Sequence, residues 1–304
     1  MLFDRLIKLM SLIFFLSAVW LIKKEINFVG AKNLLNIILS VPFTALIIGF
    51  FLTGVNYLIL SCYDVLGLKY IHKKLPYQKI LPMSAVSFAV SNLAGHIYAS
   101  GGAVRYLFLN PLGFSKKNIF LLVFFETLSI VLGLALGFIL AVFLETVNGT
   151  LKNYHYLSLF YLSAFLIIAG FLFYFEEIVK KRRSFKIGKT IVKAPDTKLT
   201  AQQIWVGLFD FISMFLVFYV FLRTFISADI ITVFIIFTTA TVLSYLSQVP
   251  AGIGVLESLF LLLFTHTGAE KGAILGAFAL YRSVYFFIPF IIGCCVFLVL
   301  KKKK

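Results

Sequence analysis

The sequence is poor in charge, cysteine and clustered metal ligands, and each scarcity argues against a class of protein. Only 13% of its 304 residues are charged, whereas soluble domains carry roughly 25%. Three cysteines, two of them adjacent, do not make a disulfide framework. His96 and His266 have no acidic or cysteine neighbours at ligand spacing, and no Walker motif occurs. We therefore expect no soluble domain, metal centre, cofactor site or ATPase.

The sequence contains long apolar runs. The chain is 61% hydrophobic with a mean hydropathy of +1.02, and its apolar runs often approach the ~20 residues that a membrane-spanning helix needs. These features predict an all-α polytopic membrane protein, a single integral domain over residues 1–304. The apolar runs cover residues 6–22, 34–62, 80–100, 119–144, 157–179, 203–222, 230–247, 254–265 and 273–300.

Basic residues dominate the loops between these runs. The net charge of +16 would suggest nucleic acid in a soluble protein, but here lysine and arginine cluster where cytoplasmic loops would face an anionic leaflet. No nucleic-acid partner is expected. A basic loop at residues 180–198 separates two pseudo-repeat halves, about 1–150 and 151–304. The positive-inside rule predicts a multi-pass protein of the cytoplasmic membrane with both termini in the cytoplasm.

Two glycine-rich breaks interrupt the apolar sequence, about 150 residues apart. The first contains Gly101 and Gly102, and the second contains Pro250, Gly252 and Gly254. Irregular backbone at membrane depth is tolerated only inside protein or beside a wet cavity, and paired breaks in two halves point to a transport site. We predict inverted re-entrant hairpins over about 80–112 and 230–265 beside six spans. Eight complete spans fit the hydropathy nearly as well.

A charged residue follows each break by three positions. Arg105 is interpreted as a clamp for a lipid phosphate; the alternatives are a structural ion pair or a side chain that reaches the surface. Glu257 suits the first turn of a helix, where a carboxylate opposes the positive end of the dipole. A functional interpretation pairs it with Arg105 where the breaks meet, or with a cationic headgroup.

Other polar residues fall inside the apolar runs. Arg282, beside Tyr281, is a candidate substrate ligand; the alternative is a structural buried pair with Asp210 or Glu126. These two carboxylates are interpreted as counter-ions or as proton-coupling groups. Two polar side chains lie beside the breaks, those of Asn92 and Gln248. They are suited to hydrogen-bonding either the backbone groups that the breaks leave unpaired or lipid headgroups.

Several motifs, in order, resemble one family. They are Tyr63-Asp64, Ser91-Asn92, Ser100-Gly101-Gly102 with Arg105-Tyr106, Val249-Pro250 with Gly252, Gly254 and Glu257, and Tyr281-Arg282 with Tyr285 and Pro289. The chain resembles the membrane half of the bacterial lysylphosphatidylglycerol synthase/flippase, the multiple peptide resistance factor. Full-length members add a soluble synthase domain, and we expect this chain, which ends at Lys304, to be a stand-alone relative without it.

The resemblance implies a flippase that moves a phospholipid, aminoacylated or anionic, between leaflets. It also raises a homodimer and a separate synthase as candidate partners. Two rival functions remain open at this point. A membrane-embedded enzyme acting on lipid or isoprenoid phosphates would want clustered acids or an activated nucleophile, and the acids here are isolated. A non-transporting membrane subunit would not need intramembrane charges.

Overall fold

The chain is an all-α membrane protein, as predicted from its composition. This computed structural model describes residues 36, 40–94, 100–149, 157–187, 190–247, 249–264 and 271–302. Within those ranges, five helical segments are long and apolar enough to cross a membrane: Phe43–Tyr70, Lys116–Asn148, Phe160–Lys180, Thr197–Arg223 and Lys271–Val299. The predicted first span at 6–22, together with His96, Gln248 and His266, lies outside the described residues.

The elements follow the predicted runs closely. In order they are α1 Phe43–Tyr70, α2 Tyr77–Ala94, α3 Ser100–Leu109, α4 Lys116–Asn148, α5 Leu157–Phe173, a π-helical turn Tyr174–Lys180, β1 Ser184–Ile187, β2 Thr190–Lys193, α6 Thr197–Arg223, α7 Ile230–Leu246, a 3₁₀ turn Pro250–Gly252, α8 Val255–Phe264, α9 Lys271–Arg282, a π-helical turn Ser283–Phe287 and α10 Ile288–Lys302.

Polar caps fix where the long helices begin. The side chains of Ser115, Asp196 and Asp229 each accept a hydrogen bond from the backbone N–H three residues on, at the starts of α4, α6 and α7. Such N-caps satisfy donors that the first turn leaves unpaired. Gly149 ends α4 in the left-handed conformation. The apolar runs are therefore converted into helices with defined ends.

The first hairpin, formed by α2 and α3, begins and ends at the end of the molecule that carries the basic loop 180–198. We call this the basic end. At that end the Tyr70 hydroxyl donates to the Lys193 carbonyl (2.7 Å), and Gly67 faces Leu122 near the start of α4. α2 begins shortly after α1 ends, and α3 ends shortly before α4 begins. The ten residues of α3 cover about 15 Å, half of a ~30 Å hydrocarbon core. The hairpin therefore returns to the end that it enters from.

The second hairpin, formed by α7 and α8, enters from the opposite end. The Asn148 side chain at the end of α4 donates to the Thr232 hydroxyl at the start of α7 (3.4 Å), far from the basic end. α8 is again ten residues long and too short to span. α2 packs against the turn at Pro250–Gly252, so the two hairpins meet inside the molecule. The layout agrees with inverted hairpins rather than eight complete spans.

Two local details differ from the sequence interpretation. Gly101 and Gly102 belong to helix α3, so the first break precedes them and Arg105 lies in the second turn of that helix. Gly101 is needed for close approach instead, because a Cβ there would lie 2.3 Å from the Ser91 Oγ. α1 begins at Phe43 and continues to Tyr70, past the predicted limit at 62, so Asp64 is a helical residue.

The basic loop 180–198 contains a β-hairpin that we did not predict. Phe185 and Val192 are paired across its two strands and face the helices, where Val192 is buried and Phe185 lies edge-on to Phe124. This packing anchors the loop over the ends of α1 and α4. The basic residues of the loop and of the first hairpin thus gather at one end of the molecule.

Candidate functional site

A fully buried ion cluster lies beside the first hairpin. The Arg105 guanidinium donates to both oxygens of Asp64, Nε to Oδ1 at 2.8 Å and Nη2 to Oδ2 at 2.9 Å. Its Nη2 also lies 2.9 Å from Glu126 Oε2, and all three side chains have no exposed surface. Ser84 donates to Asp64 at 2.6 Å, and the guanidinium carbon lies 4.6 Å from the Phe88 ring centre. The cluster joins α1, α2, α3 and α4.

This cluster corrects one predicted pairing. Arg105 does not pair with Glu257; its partners are Asp64, from the preceding helix α1, and Glu126, from the following helix α4. Both partners belong to the same half of the chain, so the pairing closes the first hairpin on itself. Of the alternatives for Arg105, the described conformation contains the ion pair.

A second ion pair stabilises the second hairpin. Arg282 pairs with Glu257 through both Nε and Nη2, and its Nη1 donates to the Ala251 carbonyl at 3.1 Å. Glu257 also accepts the Gly254 N–H at 2.8 Å, as a carboxylate in a first helical turn does. The predicted partners of Arg282, Asp210 and Glu126, are therefore wrong. Arg282 ties α9 to the broken backbone of the second hairpin.

The broken backbone itself depends on left-handed residues. Ala251, Gly252 and Gly254 have φ values of 52°, 61° and 82°. A Cβ on Gly252 would lie 2.1 Å from the Ser244 Oγ, whereas Gly254 faces open space. The serine–glycine contact repeats that of Ser91 with Gly101 in the first hairpin. Each hairpin therefore combines a close serine–glycine contact with an arginine–carboxylate pair.

Replacing Gly252 with alanine is expected to lower the free energy of unfolding by about 2 kcal/mol or more, because left-handed strain adds to the clash with Ser244. Gly254→Ala is the matched control: it carries the strain alone, and we expect about 1 kcal/mol. Unfolding in mixed micelles titrated with SDS measures both. Equal losses in the two variants would show that the contact with Ser244 is unimportant.

A hydrogen-bonded network lies between the two ion pairs. The Asn56 amide donates to Asp210 Oδ1 (2.8 Å) and to the Ser213 hydroxyl (2.7 Å), and it accepts from the Tyr285 hydroxyl (2.9 Å). The Tyr63 hydroxyl donates to Asp210 Oδ2 at 2.9 Å. Asp210 thus accepts from neutral donors, and no basic side chain in the described ranges forms a salt bridge with it.

The network reaches both ion pairs through neighbouring residues. Tyr63 immediately precedes Asp64 of the first cluster. Tyr285 stacks on Tyr281 with ring centres 5.4 Å apart, and Tyr281 immediately precedes Arg282. Tyr285 lies in the π-helical turn Ser283–Phe287, and its hydroxyl donates to Asn56 from there. The network therefore adjoins both ion pairs along the chain, at Tyr63–Asp64 and at Tyr281–Arg282.

Most of these groups are buried, but a few polar residues of the same region are partly exposed. Asn92 near the end of α2 and Tyr57 of α1 lie beside each other, and Asp210 is also partly exposed. Tyr245, at the end of α7, lies near Asp210 and is 47% exposed. These four side chains are not fully buried, and they come from α1, α2, α6 and α7.

The structure brings together most of the predicted residues and adds several that the sequence did not single out as site residues. Arg105, Glu126, Asp210, Glu257 and Arg282 all belong to the two ion pairs or the network, and no position is described for Gln248. Within the described ranges no three His, Cys, Asp or Glu side chains are grouped to hold a metal ion. The site residues missed by sequence reasoning are Asn56, Tyr63, Asp64, Ser84 and Ser213.

These observations define a class: a helical membrane protein with two inverted broken hairpins, each closed by a buried arginine–carboxylate pair. The chain belongs to the family of the lysylphosphatidylglycerol synthase TM region, whose model matches residues 8–293. The resemblance seen in the motifs is therefore confirmed across nearly the whole chain.

Three relatives illustrate the range of the family. The Synechocystis protein slr0712 is 30% identical over 288 residues, which cover 90% of this chain and 85% of the relative. The Escherichia coli inner membrane protein YbhN is 26% identical over 303 residues, covering 97% and 92%. The Bacillus subtilis phosphatidylglycerol lysyltransferase is 44% identical over 68 residues, which are 22% of this chain and 8% of that protein.

Proposed function

We propose that the protein is a flippase-like transporter that moves a phospholipid between the two leaflets, and that it is not an enzyme. One observation carries the proposal: two broken hairpins from opposite ends meet, and each holds a buried arginine–carboxylate pair. Charges inside membrane-spanning structure are costly and mark substrate or ion pathways, and broken helices in corresponding positions are typical of transport sites.

The headgroup enters, in this proposal, at the partly exposed side chains of Asn92 and Asp210, while the lipid tails stay in the bilayer. Arg105 and Arg282 then bind the lipid phosphate by exchanging a carboxylate partner for it, since a guanidinium recognises both groups with paired hydrogen bonds. The remaining proposed contacts come from both breaks and their surroundings: Gly101, Gly102, Tyr281, Gln248, Gly252, Gly254 and Glu257.

The proposed substrate is an anionic or aminoacylated phospholipid. The name of the Bacillus relative, phosphatidylglycerol lysyltransferase, supports a lipid of this class through the 68 aligned residues.

We further propose that the protein forms a homodimer and works with a separate synthase. Its proposed location is the bacterial inner membrane, which the name of YbhN supports. Both termini are assigned to the cytoplasm, because the basic residues of the first hairpin and the loop 180–198 lie at one end.

Reconstitution into liposomes tests the proposal. Vesicles carry fluorescent phosphatidylglycerol, lysylphosphatidylglycerol or phosphatidylcholine, and an impermeant quencher reports how fast outer-leaflet lipid is replaced. We expect faster exchange of at least one of the first two lipids than in protein-free vesicles. Arg105→Lys and Arg282→Lys should each slow it about tenfold, the effect of losing ~1.4 kcal/mol of recognition. Arg183→Lys, at an exposed ion pair, is the matched control and should leave the rate unchanged.

Two results would contradict the proposal. One is exchange no faster than in empty vesicles for all three lipids, with protein that remains folded after reconstitution. The other is a chemically altered lipid, found by mass spectrometry of the same vesicles, in the absence of exchange. The second result would favour a membrane-embedded enzyme.

A further inference from the structure

The cluster around Arg105 contains two carboxylates for a single guanidinium. Asp64 receives two hydrogen bonds from Arg105 and one from Ser84, so both of its oxygens are satisfied. The contacts of the Glu126 carboxylate differ from those of Asp64. Its Oε2 lies 2.9 Å from Arg105 Nη2, and the side chain lies within hydrogen-bonding distance of the Asp64 carboxylate, which has no proton to donate while it is ionised. Among the described atoms, neither oxygen of Glu126 receives an aligned hydrogen bond. With both acids ionised, the buried cluster holds one uncompensated negative charge.

Among the residues that the structure describes, the side chains that face Glu126 offer no second positive charge. Arg105 comes from α3, Asp64 and Tyr63 from α1, and the Phe88 ring from α2. On α4 and α6, the neighbouring Ser129 and Gln203 hydrogen-bond to each other and to the Phe125 carbonyl. Across the described part of the chain, Arg105 is the one base that forms a salt bridge with either acid of the cluster. A buried carboxylate whose charge is not compensated is far less stable than a neutral carboxylic acid.

We propose that Glu126 is a proton-binding site, and that its proton is exchanged with water during the transport cycle. A proton from water bonds to Glu126 Oε1, which converts the carboxylate into a carboxylic acid and leaves the cluster electrically neutral. Asp64 keeps its two hydrogen bonds from Arg105. On release, the proton returns to water and Glu126 becomes an anion again.

Protonation of Glu126 has a direct consequence for Arg105. While Glu126 is an anion, the Arg105 Nη2 faces two carboxylates; once Glu126 is neutral, it faces one. The guanidinium is then available to an anionic lipid phosphate. Proton and headgroup therefore bind together and leave together, which couples lipid movement to a proton gradient. This coupling rests on the proposed transport function, whereas the proton-binding site does not.

Infrared difference spectroscopy tests the site itself. The full-length protein in detergent should show a carbonyl-stretch band of a protonated carboxylic acid that shifts in D₂O. Glu126→Gln should abolish the band, whereas Glu176→Gln, at an exposed ion pair, should retain it. Glu126→Asp keeps a titrating group in the cluster and should move the band. A band that is identical in the wild type and Glu126→Gln, or no band in the folded wild type at any pH, would overturn the inference.

Vesicles with a pH gradient test the coupling. We expect the wild-type lipid exchange rate to change several-fold when the gradient is imposed, and the Glu126→Gln rate to be insensitive to it. Exchange that responds to the gradient equally in both proteins, or that responds to sodium at constant pH, would overturn the coupling. If the wild type exchanges no lipid at any pH, the proposed function fails, and the infrared result still decides the proton-binding site.

Discussion

Replacing Arg105 with methionine is expected to lower the free energy of unfolding by about 3–5 kcal/mol, the cost of removing one partner from a buried ion pair. The reason is that Asp64 and Glu126 would remain buried as two neighbouring acids with no base between them. Methionine fills part of the same volume beside Phe88, so the loss reports on charge more than on packing. Titration with SDS in mixed micelles measures the change.

A matched pair of variants separates charge from packing. Arg183→Met removes an exposed guanidinium that is paired with Glu177, and we expect no measurable change in stability. Adding Asp64→Leu and Glu126→Leu to Arg105→Met should recover much of the lost stability, because an apolar cluster of similar volume carries no desolvation cost. Full stability of Arg105→Met alone would contradict the buried ion cluster.

The same triple variant distinguishes stability from transport. A protein that regains its stability while leaflet exchange stays at the background rate would show that the cluster is retained for function. Recovery of both would instead assign the cluster a purely structural role. The outcome decides between the two interpretations of Arg105 that the sequence left open, a phosphate ligand and a structural ion pair.

The sequence was sufficient to predict most of the described helices and several of the buried charges. Membrane-spanning helices are set by runs of apolar residues, which are local properties of the chain. The second break was visible because Pro250, Gly252 and Gly254 cluster where a helix would otherwise continue, and the first was inferred from Gly101 and Gly102, which lie just after it inside α3. Arg105, Glu126 and Arg282 stood out because charge inside an apolar run is rare. These signals need no knowledge of which helices are neighbours.

The pairing of the charges was not predictable, because it depends on how the helices pack. Asp64 precedes Arg105 by 41 residues and lies in the last part of α1, beyond the limit that hydropathy gave to that run. Arg282 reaches Glu257 because α9 returns beside the second break, which no local pattern indicates. Asn56 and Tyr63 looked like ordinary helix residues until α6 brought Asp210 next to them.

The helices α4 and α6 approach each other closely at Gly133 and Gly207. Substitution of these glycines is the second change for which we expect a large loss of stability. A Cβ on Gly133 would lie 2.1 Å from the carbonyl carbon of Gly207, and a Cβ on Gly207 would lie 2.5 Å from the backbone carbonyl oxygen of Ser129. The obstructing atoms belong to backbone, which cannot rotate away. Small residues of this kind let membrane helices pack closely.

Gly133→Ala is therefore expected to lower the free energy of unfolding by about 3 kcal/mol, the upper part of the range for overpacking. The helices must separate, which also weakens the hydrogen bond from Gln203 to Ser129 one turn away (3.0 Å). Gly54→Ala and Gly170→Ala are the controls. Both helical glycines face open space, so alanine should raise stability by up to about 1 kcal/mol. SDS titration of the three variants provides the comparison.

The double variant Gly133→Ala/Gly207→Ala makes the prediction specific. If one alanine already separates α4 from α6, the second should lower the free energy of unfolding by much less than it does alone, because the effects of substitutions at residues in contact are not additive. Additive losses would show that the two glycines act independently. The separation would also change lipid exchange, since Glu126 lies two turns before Gly133 on α4 and Asp210 lies one turn after Gly207 on α6. The spacing between the proposed proton site and the network around Asp210 is thus set by this contact between glycines.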